Sequence, residues 1–258
     1  MLITGASSGI GLELARLFAA AGHPLILVAR DAARLDAAAV ELRGTSASVL
    51  AVAGDLERPA EVERLIEEVR SHAVDVDVLV NNAGFGAAGA LEGVEPSLLL
   101  GMIAVNAAAP TRLMREFLPD MRRRGRGRVL NVASTAAFQP GPWMAVYYAT
   151  KAYLLSLSDA VAEEMAGSGV SVTTLCPGPT RTQFAVRAGM RGSRLFRAGA
   201  TMDAPDVARA GYRGLLRGDR LVVPGIMNKL TGQASRFLPR RVVVRAASLL
   251  NKGRTSAD

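Results

Sequence analysis

Thr4-Gly5-Ala6-Ser7-Ser8-Gly9-Ile10-Gly11 stands between a short apolar run, Met1 to Thr4, and a segment carrying Leu12, Leu14, Ala15, Leu17 and Phe18 at helical spacing. The order is strand, glycine turn, helix. Gly5 permits the tight turn, Gly9 lets the backbone approach a pyrophosphate, and Gly11 allows close helix packing, with the anion at the amino end of the helix. Outward from this turn, strand-like runs at 24–29, 46–53, 76–80, 127–133, 170–175 and 220–223 alternate with helical patterns at 32–42, 59–72, 102–122, 147–165 and 205–216. Such alternation predicts an α/β fold on a parallel sheet. One domain, 1–258, accommodates it. The opening directly on a strand points to native residues upstream of Met1 or to a late start.

A second stretch carries the chemistry. Ser134 ends the run 127–133, which sets its hydroxyl at the carboxyl edge of the sheet, and the loop after it returns to Tyr147 at the start of a helix. Tyr147 and Lys151 are one turn apart on one helix face. Bringing a phenol from its ordinary pKa of ~10 to ~7 requires roughly 4 kcal/mol of preferential phenolate stabilisation. A fixed neighbouring cation has the right sign to supply it.

Ser134, Tyr147 and Lys151, with the glycine turn and Asn81-Asn82-Ala83-Gly84, resemble the short-chain dehydrogenase/reductase family over roughly residues 1–182. The motifs stand in the family's order with its separations. The resemblance implies a Rossmann-type doubly wound parallel sheet with helices on both faces, and interconversion of a carbonyl and a secondary alcohol with a nicotinamide cofactor. It implies Tyr147 as acid/base, Ser134 bonding the substrate oxygen, and Lys151 depressing the tyrosine pKa and binding the ribose. Asn106 matches the fourth catalytic position, where it kinks a helix and supports a water relay; the residues alone equally admit an asparagine that merely bonds back to its own helix.

For the cofactor, the resemblance brings Gly5, Ser7, Ser8, Gly9, Ile10 and Gly11 to the phosphates, Asp55 and Leu56 to the adenine, and Asn82, Ala83 and Gly84 to the ribose and nicotinamide. Tyr147 and Lys151 also face the cofactor, the Pro177-Gly178 turn passes over the nicotinamide, and Thr180, with Thr182 second, bonds the carboxamide. Asn81 ties neighbouring strands together instead. The family's aspartate position for NAD falls on Ala29, and Arg30 follows, which favours NADP(H) over NAD(H). Asp31 stands where a ribose acid could, and reads as the N-cap of the helix 32–42.

Half of the residues are hydrophobic, enough for a core on both sides of a sheet. The single cysteine, Cys176, excludes an internal disulfide and reads as a small buried hydrophobe. With only His23 and His72, no zinc site and no other metal is expected. No apolar run approaches the ~20 residues of a membrane span, and a soluble, cytoplasmic protein is expected. Net charge is +8, divided as −3 over residues 1–186 and +11 over residues 187–258. Solvated arginines account for the basic excess without nucleic acid, and Arg122 to Arg128 reads as a solvated helix end.

Phe138, Pro140, Trp143 and Met144 suggest a mainly hydrophobic pocket for a small-molecule ketone, 3-oxoacyl or steroid-like substrate. Residues 183–202, with Phe184, Met190, Leu195 and Phe196, resemble the family's substrate lid. Residues 224–258 read as a helical tail broken at Pro239, whose apolar stripe (Val242, Val243, Ala246, Leu249, Leu250) suits the core or a homodimer or homotetramer contact ahead of a peripheral membrane contact. Two rivals remain. A dehydratase or epimerase is disfavoured by the short chain left after Thr182 for a substrate domain. A non-catalytic dinucleotide-binding sensor acting through the basic C-terminal part would have no need of Ser134, Tyr147 and Lys151.

Overall fold

In the computed structural model, which describes residues 1–45, 48–72, 75–190 and 201–252, the glycine turn joins β1 (Leu2–Thr4) to α1 (Gly9–Ala20). The chain then runs β2 (Leu25–Ala29), α2 (Ala32–Arg43), β3 (Val49–Ala53), α3 (Pro59–Ser71) and β4 (Val78–Asn81). Next come α4 (Pro96–Ile103), α5 (Ala109–Arg123), β5 (Gly127–Val132), α6 (Ala145–Glu164) and β6 (Val170–Leu175). A two-stranded ribbon of β7 (Thr180–Arg181) and β8 (Met202–Asp203) flanks the short α7 (Phe184–Arg187). The chain closes with α8 (Ala204–Arg217), β9 (Leu221–Val222), α9 (Ile226–Phe237) and α10 (Arg240–Asn251).

Seven strands form one parallel sheet in the order β3-β2-β1-β4-β5-β6-β9. The order reverses beside β1, and β1 and β4 leave side by side at their carboxyl ends. That switch point is where an open α/β sheet forms its binding crevice. Both sheet faces are covered. On one, Leu14, Phe18, Leu35, Val207 and Leu215 from α1, α2 and α8 close over the strands. On the other lie Val62, Leu65, Leu113 and Phe117 from α3 and α5. Two buried faces explain why the strand runs read as nearly continuous hydrophobic stretches.

The helix expected from 102 begins earlier, at Pro96, because Pro supplies the fixed φ of a first turn. It does not run evenly: a π-turn, Ala104–Ala108, separates α4 from α5. Pro96–Arg123 as a whole is long and apolar enough to cross a bilayer by composition, yet half of its apolar window is buried within the fold as a core helix. The basic run 122–128 is less solvated than expected, since Arg124 is mostly buried and paired with Asp75 and Asp77. Leu195 and Phe196 lie outside the described residues, as does the lid from 191 to 200.

Candidate active site

The glycine turn and the loop after β4 are tied by one threonine. Thr4 Oγ1 donates to Val80 O and accepts from the backbone N–H of Asn82 (3.0 Å) and Ala83 (3.1 Å). Asn82 Nδ2 in turn donates to Thr4 O and Gly5 O. Gly5 (φ 65°) and Gly9 (φ 57°) adopt the left-handed backbone the turn needs. A Cβ on Gly11 would strike Asn82 Nδ2 and Gly5 O, so only glycine fits between helix and loop. Ser8 N-caps α1 with no side-chain cap bond, leaving its hydroxyl and the first-turn N–H groups to other acceptors. An anionic diphosphate fits that end. Asn81 joins strands as expected, its Nδ2 donating to Asn131 Oδ1 at 2.8 Å.

Ser134, Tyr147 and Lys151 converge at the carboxyl end of β5. The Ser134 hydroxyl accepts from Ala136 N (3.1 Å), lies 3.5 Å from Pro177 O, and stands close enough to the Tyr147 phenol to favour its ionised form. Lys151 Nζ donates to Val132 O (2.9 Å) and sits 5.8 Å from the Tyr147 ring centre. Both side chains are buried. Burial is the first influence on each: it pushes the phenol well above its ordinary range, against the Ser134 hydrogen bond, and pushes the ammonium down to about 8. Burial of the phenol thus works against the depression expected of Lys151.

Asn106, 1% exposed, lies in the π-turn. It does not bond back to its own helix. Its Oδ1 accepts from Phe85 N (3.1 Å), and its Nδ2 donates to Phe85 O (2.9 Å) and Thr150 Oγ1 (3.1 Å). A Cβ on Gly84 would lie 3.0 Å from Asn106 Oδ1 and 3.2 Å from Lys151 Nζ, so these residues share one small space. Thr180 Oγ1 donates to Gly178 O, and Pro177 O accepts from Thr135 N, which docks the Pro177-Gly178 turn beside Ser134. Thr182, with Thr180, borders the cavity of Ser8 and Gly9. The Cys176 thiol is fully buried and pushed up to about 12 by desolvation, as an inert side chain.

At the end of β2, Asp31 is the N-cap of α2 and accepts from Arg34 N (3.1 Å). Arg30 beside it is largely exposed and paired with Glu57 at 2.9 Å. Asp55 Oδ1 accepts from Glu57 N and closes the turn after β3, where Leu56 is buried.

Over Tyr147 the surroundings are apolar. Phe184 packs its ring 5.1 Å from the Tyr147 ring, and Met144 and Met190 join the same cluster. Trp143 and Phe138 do not line this space as expected. Trp143 Nε1 donates to Ser248 Oγ (3.0 Å), its ring lies 5.5 Å from Lys252 Nζ, and Phe138 packs at Gly232. Trp143 has φ 66°, a left-handed conformation costly for a bulky residue. Gly89 N donates to Trp143 O at 2.8 Å and helps fix it.

Sequence reading missed the tail's part in this. Asn251, buried on α10, accepts from Tyr148 Oη (3.0 Å) and donates to Pro142 O (3.1 Å). Its only sequence signal is an amide at the end of a helix whose other residues, Ser248 apart, are apolar or basic. Asn251→Ala is expected to cost about 1–3 kcal/mol, since it strands a buried phenol hydroxyl. Tyr148→Phe/Asn251→Ala should cost less than the sum of its single changes, measured as a double-mutant cycle in urea.

The sheet, the glycine turn at its switch point and the buried tyrosine–lysine pair define a dinucleotide-binding redox fold. The family model of the short chain dehydrogenases matches residues 1–190, and the chain belongs to that family. A D-beta-hydroxybutyrate dehydrogenase of Rhizobium meliloti is 34% identical over 179 residues, 69% of either chain. A short-chain dehydrogenase from Sphingobium yanoikuyae in complex with NADPH superposes with TM-score 0.81 and 35% identity, covering 92% of this chain and 93% of that one. A short-chain dehydrogenase/reductase from Burkholderia phymatum in complex with NAD gives TM-score 0.81 at 26% identity over 90% of each. The protein is a carbonyl/alcohol oxidoreductase that uses a nicotinamide dinucleotide.

Proposed function

We propose that the protein reduces a ketone on a mainly hydrophobic small molecule, or oxidises the matching secondary alcohol, with NADP(H) preferred. The observation that carries this reading is the convergence of Ser134, Tyr147 and Lys151 beside Gly84 and the glycine turn. Bound there, the nicotinamide supplies or accepts hydride. Tyr147 holds its proton through neutral pH and gives it to the carbonyl oxygen as a general acid. Ser134 donates a hydrogen bond to the same oxygen. Lys151 binds the ribose and brings positive charge beside the phenol, while Asn106 fixes the Phe85 backbone and the floor under Lys151. Ser7, Ser8, Gly9, Ile10 and the first turn of α1 hold the diphosphate; Asp55 and Leu56 hold the adenine, and Thr180 the carboxamide.

The NADP(H) preference rests on Arg30. Asp31 is engaged as an N-cap, and Arg30, paired with Glu57 yet largely exposed, is the cation that a 2′-phosphate would meet. Met144, Phe184 and Met190 support an apolar substrate. The test is oxidation of NADPH and of NADH, side by side, against ketones, 3-oxoacyl thioesters, quinones and steroids. Turnover of one class with NADPH is the expected result. Arg30→Ala should raise KM for NADPH by about 10- to 100-fold, the value of a hydrogen bond to a charged group, and leave NADH unchanged. Equal effects on both cofactors would overturn the preference.

A further inference from the structure

The last two helices carry an outer face that the fold leaves uncovered. On α9, Ile226, Leu230 and Phe237 share one side at i, i+4 and i+11, and Ile226 and Phe237 are 78% and 84% exposed. The other side is spoken for, with Asn228 bonded to Pro224 O and Gly232 against Phe138. On α10, Val243, Ala247 and Asn251 are buried, so of the stripe expected in the core or at a subunit contact only Val243 is buried within the chain. Val242, Leu249 and Leu250 point outward with Arg241 and Arg245. Large exposed apolar side chains thus recur along both helices, from Ile226 to Leu250.

Charge separates the candidate occupants. Residues 220–257 contain eight Lys/Arg and no Asp or Glu. Among the described residues the last ion pairs in the chain are Arg217 with Asp219 and Arg220 with Glu163, so Lys229, Arg240, Arg241, Arg245 and Lys252 meet no acid. A second copy placed symmetrically on this face would bring two acid-free cationic tails together, and like charges oppose it. A nucleic acid would engage the cations through phosphates and leave Ile226, Leu230 and Phe237 in water. An anionic bilayer satisfies both sets, with cations at the headgroups and apolar side chains below them.

We propose that α9 and α10 form a docking surface for anionic lipid, holding the protein on a membrane face as a peripheral enzyme. The inner side of the same helix pair borders the loop from Phe138 to Trp143 beside Tyr147, so a docked bilayer adjoins the substrate loop. The proposal is independent of which carbonyl is reduced.

The test uses the full chain with sedimenting vesicles of phosphatidylcholine alone or with about one-third phosphatidylglycerol. Wild type should sediment with the anionic vesicles, remain free of the neutral ones, and release as salt rises. Arg240→Gln/Arg241→Gln/Arg245→Gln should weaken binding on the order of a hundredfold. Leu230→Asp/Phe237→Asp should abolish it, and both variants should keep wild-type turnover of a water-soluble ketone. Failure of wild type to bind anionic vesicles, or unchanged binding by the variants, overturns the proposal. So would light scattering that shows a wild-type dimer dissociated by Leu230→Asp/Phe237→Asp, with no vesicle binding by either. Binding to duplex DNA as tight as to vesicles, and indifferent to the Leu230 and Phe237 changes, would assign the face to a polyanion instead.

Discussion

Tyr147→Phe is expected to lower kcat by about 10³-fold, within the range that a positioned general acid contributes, while cofactor binding persists. The ring stays, with its packing against Phe184 and Met144, so the pocket keeps its shape. What leaves is one hydroxyl, buried and in reach of Ser134. Because burial disfavours the phenolate, Tyr147 should hold its proton at neutral pH, which would suit the proposed reduction directly. Oxidation requires the phenolate and should rise with pH further into the alkaline range. Stability should change little, since among the described residues Ser134 is the side chain that acts on that oxygen. The measurements are steady-state reduction rates and cofactor titration by fluorescence. A variant that keeps a rate comparable to wild type would remove Tyr147 as the acid, and one that loses cofactor binding as well would have been misread as chemistry when it was architecture.

The elements that were legible in the sequence are those written in local periodicity. β6 and the start of α2 fall where the pattern puts them, because an apolar run between turn residues or an N-cap such as Asp31 is a local signal. The π-turn was legible only in outline: Asn106 announces a reason to interrupt a helix, but its partners, Phe85 and Thr150, lie on other elements. Trp143 was misplaced for a related cause. An aromatic beside Met144 reads as pocket lining, whereas its left-handed backbone turns the indole to Ser248, a hundred or so residues later in the chain. The stripe on α10 shows a third limit. Helical spacing sorts residues onto faces and does not say which face finds a partner. The pKa of Tyr147 depends on how much water is excluded around it, and spacing to Lys151 carries none of that.

Lys151→Met should give an inactive enzyme that is more stable than wild type. Lys151 Nζ is buried and, among the described residues, donates to Val132 O alone, too few partners for an ammonium with three donors. Burial lowers its pKa from the ordinary 10.5 to about 8. A lysine whose folded-state pKa lies below its unfolded value penalises the native state at every pH below the folded value. The unfolded chain binds the extra proton between about 8 and 10.5, so stability rises with pH through that window. At neutral pH the penalty is about 3 kcal/mol. Methionine fills similar volume without the charge but leaves Val132 O without its donor, so the net gain should be about 1–2 kcal/mol, a few degrees in Tm. The sharper reading is the slope. Wild type should gain stability from pH 8 to about 9, below the range where Cys176, pushed up from 9 to about 12, and then Tyr147 oppose it, and Lys151→Met should lose that gain. Reduction by wild type should decline over the same pH range as the ammonium deprotonates. A less stable Lys151→Met, with the alkaline gain intact, would mean that Lys151 is held by its surroundings rather than strained by them, and the energetic separation of function from stability at this site would fail.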